Sequence, residues 1–83
     1  MDLLYFAWVR ETVGRSQERV TPPDHVATVA GLLDWLAADS EAHRAAFADR
    51  ARLRAAVDQQ FVPLDASLAG AREVAIFPPV TGG

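Results

Sequence analysis

Residues 73–83 run Glu73-Val74-Ala75-Ile76-Phe77-Pro78-Pro79-Val80-Thr81-Gly82-Gly83. Glu73 to Phe77 reads as a strand, rich in β-branched and aromatic residues and free of breakers. Pro78-Pro79 stops it, because neither proline can donate to a sheet ladder. The prolines also stiffen the root of the last four residues. Gly82 and Gly83 lack Cβ atoms and make the thinnest, most pliable peptide available. With glycine near ~7% of residues, a Gly-Gly end arises by chance about once in 200 chains. Such a tail fits a channel too narrow for other side chains. Taken alone, the pair is equally open to being a frayed chain end.

Working back from that strand, Leu53 to Val57 reads as another strand. Asp58-Gln59-Gln60 makes a turn into a short strand at Phe61-Val62. Pro63 closes it, Leu64 to Leu68 fits a single helical turn, and Gly70 marks the turn before Glu73. Upstream, Val29, Leu32, Leu33 and Leu36 recur at spacings of three and four. They share one helix face, and Thr28 is its natural N-cap. That helix ends near Asp39, and Ser40 caps a second, short helix to about Phe47. Ala48 to Arg52 has no clear pattern. At the start, Leu3 to Val9 is apolar throughout and reads as a strand. Arg10 and Glu11 end it, and Gly14 supplies a turn. Gln17 to Thr21 then pairs back as a hairpin.

This order predicts an α+β fold, a mixed sheet packed on one main helix plus short helices. Residues 1–79 form a single domain and residues 80–83 a flexible C-terminal tail. The main helix has one apolar face and covers one side of the sheet. Leu4, Phe6, Trp8 and Phe77 are then left on the other side, and a large exposed apolar patch marks a partner site.

Bulk properties narrow the chemistry. Eighty-three residues make a thin core with little room for a private active site. The net charge of −3 opposes nucleic-acid binding. No cysteine is present, which removes disulfides, thiolate metal sites and a thiol nucleophile. The apolar run after Met1-Asp2 is too short for a membrane span or a secretory signal, so a cytoplasmic location is expected. The basic residues are all arginine, which fits a general Ala/Arg bias in the composition. Of these, Arg44, Arg50, Arg52 and Arg54 form a basic stretch that suits an acidic partner or simply a solvated face.

No side-chain constellation carries catalysis. His25 and His43 stand at no ligand spacing and read as surface residues, so no metal site is expected. Ser16, Ser40 and Ser67 lack a nucleophile-elbow context. The remaining candidate is the carboxylate of Gly83. It becomes a reactive electrophile once joined to AMP as a mixed anhydride.

The chain resembles the small subunits of molybdopterin synthase, MoaD-type ubiquitin-like sulfur carriers. The resemblance runs through Leu3-Leu4-Tyr5-Phe6-Ala7, Val9-Arg10-Glu11, Thr28-Val29, Leu32, Ala55-Ala56-Val57 and the whole of Glu73 to Gly83. Phe77-Pro78-Pro79-Val80-Thr81-Gly82-Gly83 is its most specific part, since Gly-Gly alone is shared by several carriers. Two positions depart from the family pattern. Ala71-Arg72-Glu73-Val74 replaces the frequent Gly-Asp-Glu-Val, and Asp58 stands where Asn is common.

The resemblance implies a β-grasp fold and a subunit that is not an enzyme on its own. An E1-like enzyme would use ATP to adenylate Gly83, and a sulfur donor would convert the adenylate to a thiocarboxylate. Thr81 and Gly82 would thread a channel in the large subunit, where sulfur passes to cyclic pyranopterin monophosphate. Phe6, Phe61 and Phe77, with Pro78, Pro79 and Val80, would form the partner interface. The implied assembly is a heterotetramer, with no cofactor bound by this chain. A sister carrier for thiamine, cysteine or tRNA thiolation, and a ubiquitin-like protein modifier, are the alternative readings.

Overall fold

The β-branched residues Val74 and Ile76 give the last strand its buried face, and the sheet is assembled around it. The computed structural model describes residues 1–79. Elements run in the order β1 (Asp2–Tyr5), α1 (Ala7–Val13), β2 (Gln17–Arg19), α2 (Val29–Ala38) and α3 (Glu41–Ala46). After them come a 3-10 turn (Arg50–Arg52), β3 (Arg54–Val57), β4 (Gln60–Val62) and β5 (Glu73–Phe77). The five strands lie in the order β2-β1-β5-β3-β4. β5 runs parallel to β1 and antiparallel to β3, so the sheet is mixed, as expected.

Register divides the sheet into two faces. Leu3 lies beside Val74 and Tyr5 beside Ile76, which in turn lies beside Ala55. All five are buried on the helix side, packed with Val9 and Val13 of α1, Val29, Leu32 and Leu33 of α2, and Ala46 and Phe47. Leu4 lies beside Ala75, and Ala75 beside Ala56, on the opposite face. The alternation follows from the two-residue period of a strand.

The helix signals at 28–47 hold. Thr28 Oγ1 accepts from Gly31 N at 3.0 Å, and Ser40 Oγ accepts from His43 N at 3.2 Å. Each satisfies a donor that the first turn of a helix leaves unpaired. The expected face at Val29, Leu32 and Leu33 is fully buried, with Leu36 at its margin.

Three expectations need correction. The strand predicted over Leu3–Val9 stops at Tyr5, and Ala7–Val13 is helical instead. Ala7 makes the switch at φ +54°, and Val9 and Val13 then face the core four residues apart. Gly14 ends this helix with φ +92°, its N–H donating to Arg10 O. It is a left-handed C-terminal cap rather than a hairpin turn. β1 and β2 do pair antiparallel, but through a helix. Lastly, Leu64–Leu68 is not helical: Ala66 N donates to Pro63 O at 3.1 Å in an isolated turn, and Ser67 bridges to Thr28, fastening this loop to the start of α2.

Both departures at the far end of the sheet are accommodated. Asp58 and Gln59 take left-handed φ values of 49° and 70° in the β3–β4 turn. Asp58 Oδ1 accepts from Arg72 N at 2.9 Å and Glu73 N at 3.0 Å. One carboxylate thereby ties two turns together. Gly70, at φ +73°, provides the bend that precedes them.

Candidate functional site

The helices cover one side of the sheet and leave the other open. Leu4, Phe6, Ala56, Phe61, Ala75 and Phe77 line a shallow depression on that open side. Phe61 is 82% exposed and Phe6 47% exposed. Phe61 reaches this face because it lies beside Ala56, one residue beyond Gln60 in β4. Its ring meets that of Phe77 with centroids 5.6 Å apart. Phe6 stays extended, and its N–H donates to Ile76 O at 3.2 Å. The reversal at Ala7 then carries the chain away and leaves the Phe6 ring outside.

The structure therefore brings Phe6, Phe61 and Phe77 together, along with Leu4. Trp8, expected on the same face, does not join them. It belongs to α1, packs against the core, and carries the Arg52 guanidinium 4.7 Å from its ring centroid. Ala56 and Ala75 form the floor of the depression and were not singled out from sequence. Their alternation with Ala55, Val74 and Ile76 was the available signal. Pro78 and Pro79 continue from Phe77 and are half-buried. Val80, Thr81, Gly82 and Gly83 lie outside the described residues.

The helix side holds a second polar cluster that sequence reasoning missed. Glu18 lies beside Leu3 in β2, so its side chain points to the helices, with 13% of it exposed. Tyr5 Oη donates to Glu18 Oε2 at 2.6 Å. His43 Nε2 donates to the same oxygen at 2.7 Å, and its Nδ1 meets Ser40 Oγ at 2.7 Å. His43 is thus not the surface residue its isolation in the sequence suggested, whereas His25 is exposed. Burial pushes the Glu18 carboxyl up, but the hydrogen bonds from Tyr5 and His43 and the charge of Arg15 outweigh it. The net effect holds Glu18 below its ordinary value. Burial, followed by the hydrogen bond and charge of Glu18, drives the Tyr5 phenol far above its usual range, against a smaller opposing pull from Arg15. This cluster joins β1, β2 and α3, with the side chains of His43 and Glu18 only 12% and 13% exposed.

Among the described residues, no group of three or more His, Asp or Glu side chains could hold a metal ion. No helix among them is long and apolar enough to cross a membrane. The serines have local duties: Ser40 caps α3, and Ser67 Oγ accepts from Ala69 N at 3.0 Å. The feature left open among the described residues is the apolar face of the sheet.

Comparison with known proteins decides the lineage. A match to the family described as ThiS family spans residues 3–83. This chain belongs to the ThiS family. Among curated relatives of this ThiS-family chain is the molybdopterin synthase sulfur carrier subunit of Escherichia coli K12. It is 43% identical over the whole of this chain and 99% of its own length. The protein of the same name from Haemophilus influenzae is 31% identical over the same shares. Solved structures agree. Small archaeal modifier protein 1 from Haloferax volcanii superposes with a TM-score of 0.71 at 29% identity, covering 96% of this chain and 97% of its own. A putative molybdopterin converting factor subunit 1 from Pyrococcus furiosus gives 0.72 at 26% identity, covering 95% of each. The fold of this ThiS-family chain is the ubiquitin-like β-grasp that the family resemblance implied.

Proposed function

We propose that this chain is the sulfur-carrier subunit of a molybdopterin synthase. The observation that carries the reading is the end-to-end similarity to the Escherichia coli carrier, 43% identical over 100% of this chain. In this reading an E1-like partner joins the Gly83 carboxylate to AMP, with pyrophosphate leaving from ATP. A sulfur donor then displaces AMP and leaves a thiocarboxylate. Gly82 and Thr81 carry it into the large subunit, which holds the catalytic site and passes the sulfur to cyclic pyranopterin monophosphate. The open face with Phe6, Phe61 and Phe77 docks the body of the carrier, and Pro78, Pro79 and Val80 set the direction of the tail. Residues 1–79 act as the folded body and 80–83 as the reactive arm, working in the cytoplasm within a heterotetramer.

Intact mass after incubation with the activating enzyme, ATP and a sulfur source tests this directly. The expected result is a mass gain equal to exchange of one oxygen for sulfur at Gly83. No gain would refute the reading. Deleting Gly83 should abolish the gain and leave the unfolding transition unchanged.

A second reading has its own support, because the ThiS family and the archaeal modifier share this fold. Covalent adducts of Gly83 on other proteins, with no thiocarboxylate formed, would favour a modifier. Transfer of sulfur only to thiamine, cysteine or tRNA pathways would favour a sister carrier.

A further inference from the structure

The basic stretch noted in the sequence does not act as one patch. Arg50 is taken up by Asp34 at 2.7 Å and by the Phe47 carbonyl at 2.7 Å. Arg52 stacks on Trp8. Arg44 sits on the exposed side of α3. Arg54 is different: it lies directly beside Phe77 in the sheet register, two prolines away from the tail. It lines a concavity with Ala55, Phe61, Val62 and Phe77.

Its guanidinium is held in place. Nη1 donates to the Ala51 carbonyl at 3.1 Å and to the Leu53 carbonyl at 2.8 Å. Those two bonds use both Nη1 hydrogens. Nε and Nη2 have no hydrogen-bond partner, and no carboxylate lies within ion-pair distance, among the described residues. The Nε–Nη2 edge presents two parallel N–H donors in the spacing that matches a carboxylate. An arginine fixed on one edge and open on the other loses little freedom when it takes such a partner.

The far end of the open face carries acidic side chains. At the far end of β5, Glu73 lies beside Asp2, which Arg19 pairs at 3.0 Å, and Asp58 caps the adjoining turn. The face is therefore apolar in the middle, mixed in charge at one end and cationic beside Phe77. A partner complementary to it has an apolar recess for Phe61 and Phe77 and a negative charge next to the opening that admits the tail.

We propose that Arg54 is a charge-reading element of the docking face. Its open Nε–Nη2 edge takes an Asp or Glu carboxylate that the large subunit presents beside its tail channel. This rests on the carrier reading above and adds the polarity of the partner surface and the residue that senses it. Opposite charges across an interface rim act mainly on encounter rate and register, and salt weakens them.

The test measures association of the full chain with the large subunit from the same organism, at low and high salt. Wild type should bind, more weakly as salt rises. Arg54→Leu keeps the apolar stem and removes the charge. It should weaken low-salt binding about three- to tenfold, chiefly through the on-rate, and flatten the salt dependence. Arg54→Lys should keep most of the salt dependence. Arg44→Leu removes the same charge from the helix side and should change neither quantity. Urea midpoints of all variants confirm that each is folded. If wild type binds but Arg54→Leu matches it in affinity and salt response, or Arg44→Leu has an equal effect, the proposal is overturned and the carrier reading stands. If wild type does not bind the large subunit at all, the carrier reading itself fails.

Discussion

Replacing Tyr5 with Phe isolates the cluster that fastens the helix layer to the sheet. Tyr5 is 1% exposed, so the change removes one oxygen and leaves ring packing intact. The lost bond is short, 2.6 Å, and its acceptor is a carboxylate with 13% of its side chain exposed. Hydrogen bonds to charged groups contribute about 1.5–3 kcal/mol. His43 at 2.7 Å and Arg15 at 3.6 Å remain on Glu18 and place the cost near the lower end, at about 2 kcal/mol. For a domain of this size that lowers Tm by roughly 10 °C. The sign of the pH dependence follows from Glu18. Its folded pKa lies below its ordinary value of 4.5. Its contribution is therefore complete above that ordinary value and is lost as pH falls through the folded one. Once Glu18 is protonated, the Tyr5 bond is a neutral pair worth about 1 kcal/mol. Urea unfolding of wild type and Tyr5→Phe, at neutral pH and in acid, should show the penalty shrinking by about half. In a Glu18→Gln background the penalty should be that of a neutral pair, about 1 kcal/mol, and independent of pH. A penalty below about 0.5 kcal/mol at neutral pH, or one equal at both pH values, would refute the assignment.

Three further outcomes are expected. Phe61→Ala should cost at most about 1 kcal/mol of stability, since the ring is 82% exposed and loses mainly its contact with Phe77, yet weaken partner binding by about 2 kcal/mol or more, read by calorimetry against the large subunit. Ala7→Gly should stabilise the fold by up to about 1 kcal/mol, because φ +54° is strained for alanine and free for glycine; a lower urea midpoint would contradict the strain. Asp58→Ala should lose about 1–2 kcal/mol by stranding the Arg72 and Glu73 N–H groups, whereas Asp58→Asn keeps an acceptor and tolerates φ +49°, so its midpoint should stay near wild type.

The main helix was legible from its one-sided apolar pattern, and the strands from β-branched and aromatic runs bounded by Gly and Pro. The sequence hid α1 for a physical reason. Leu3 to Val9 is apolar at every position, and a run without polar residues shows neither a period of two nor one of 3.6. The deciding signals lay just beyond it: Val9 and Val13 four apart, with Gly14 after them as a helix cap. The cluster at His43 was hidden differently. Its partner Glu18 is 25 residues away in the chain, and only the placement of β2 under α3 brings them together. Phe6 and Phe77 followed from strand alternation, whereas Phe61 was carried over from a family resemblance. Register alone would have placed Phe61 with Phe77 only after β3 and β4 had been paired.

The open face is the strongest physical argument that this body is built to be bound. Nothing in the fold requires Phe61 to be aromatic. Its side chain recovers little burial, and β4 is an edge strand, where exposed apolar residues invite pairing with other chains. A polar residue there would remove that hazard at little cost in stability. The same holds for Phe6, which sits outside the core at a strained turn. The inner face, by contrast, has its large side chains buried and its polar side chains hydrogen-bonded. Two faces of one small sheet thus obey opposite rules. The difference is intelligible if the outer face reaches its own burial only when a partner supplies the second layer.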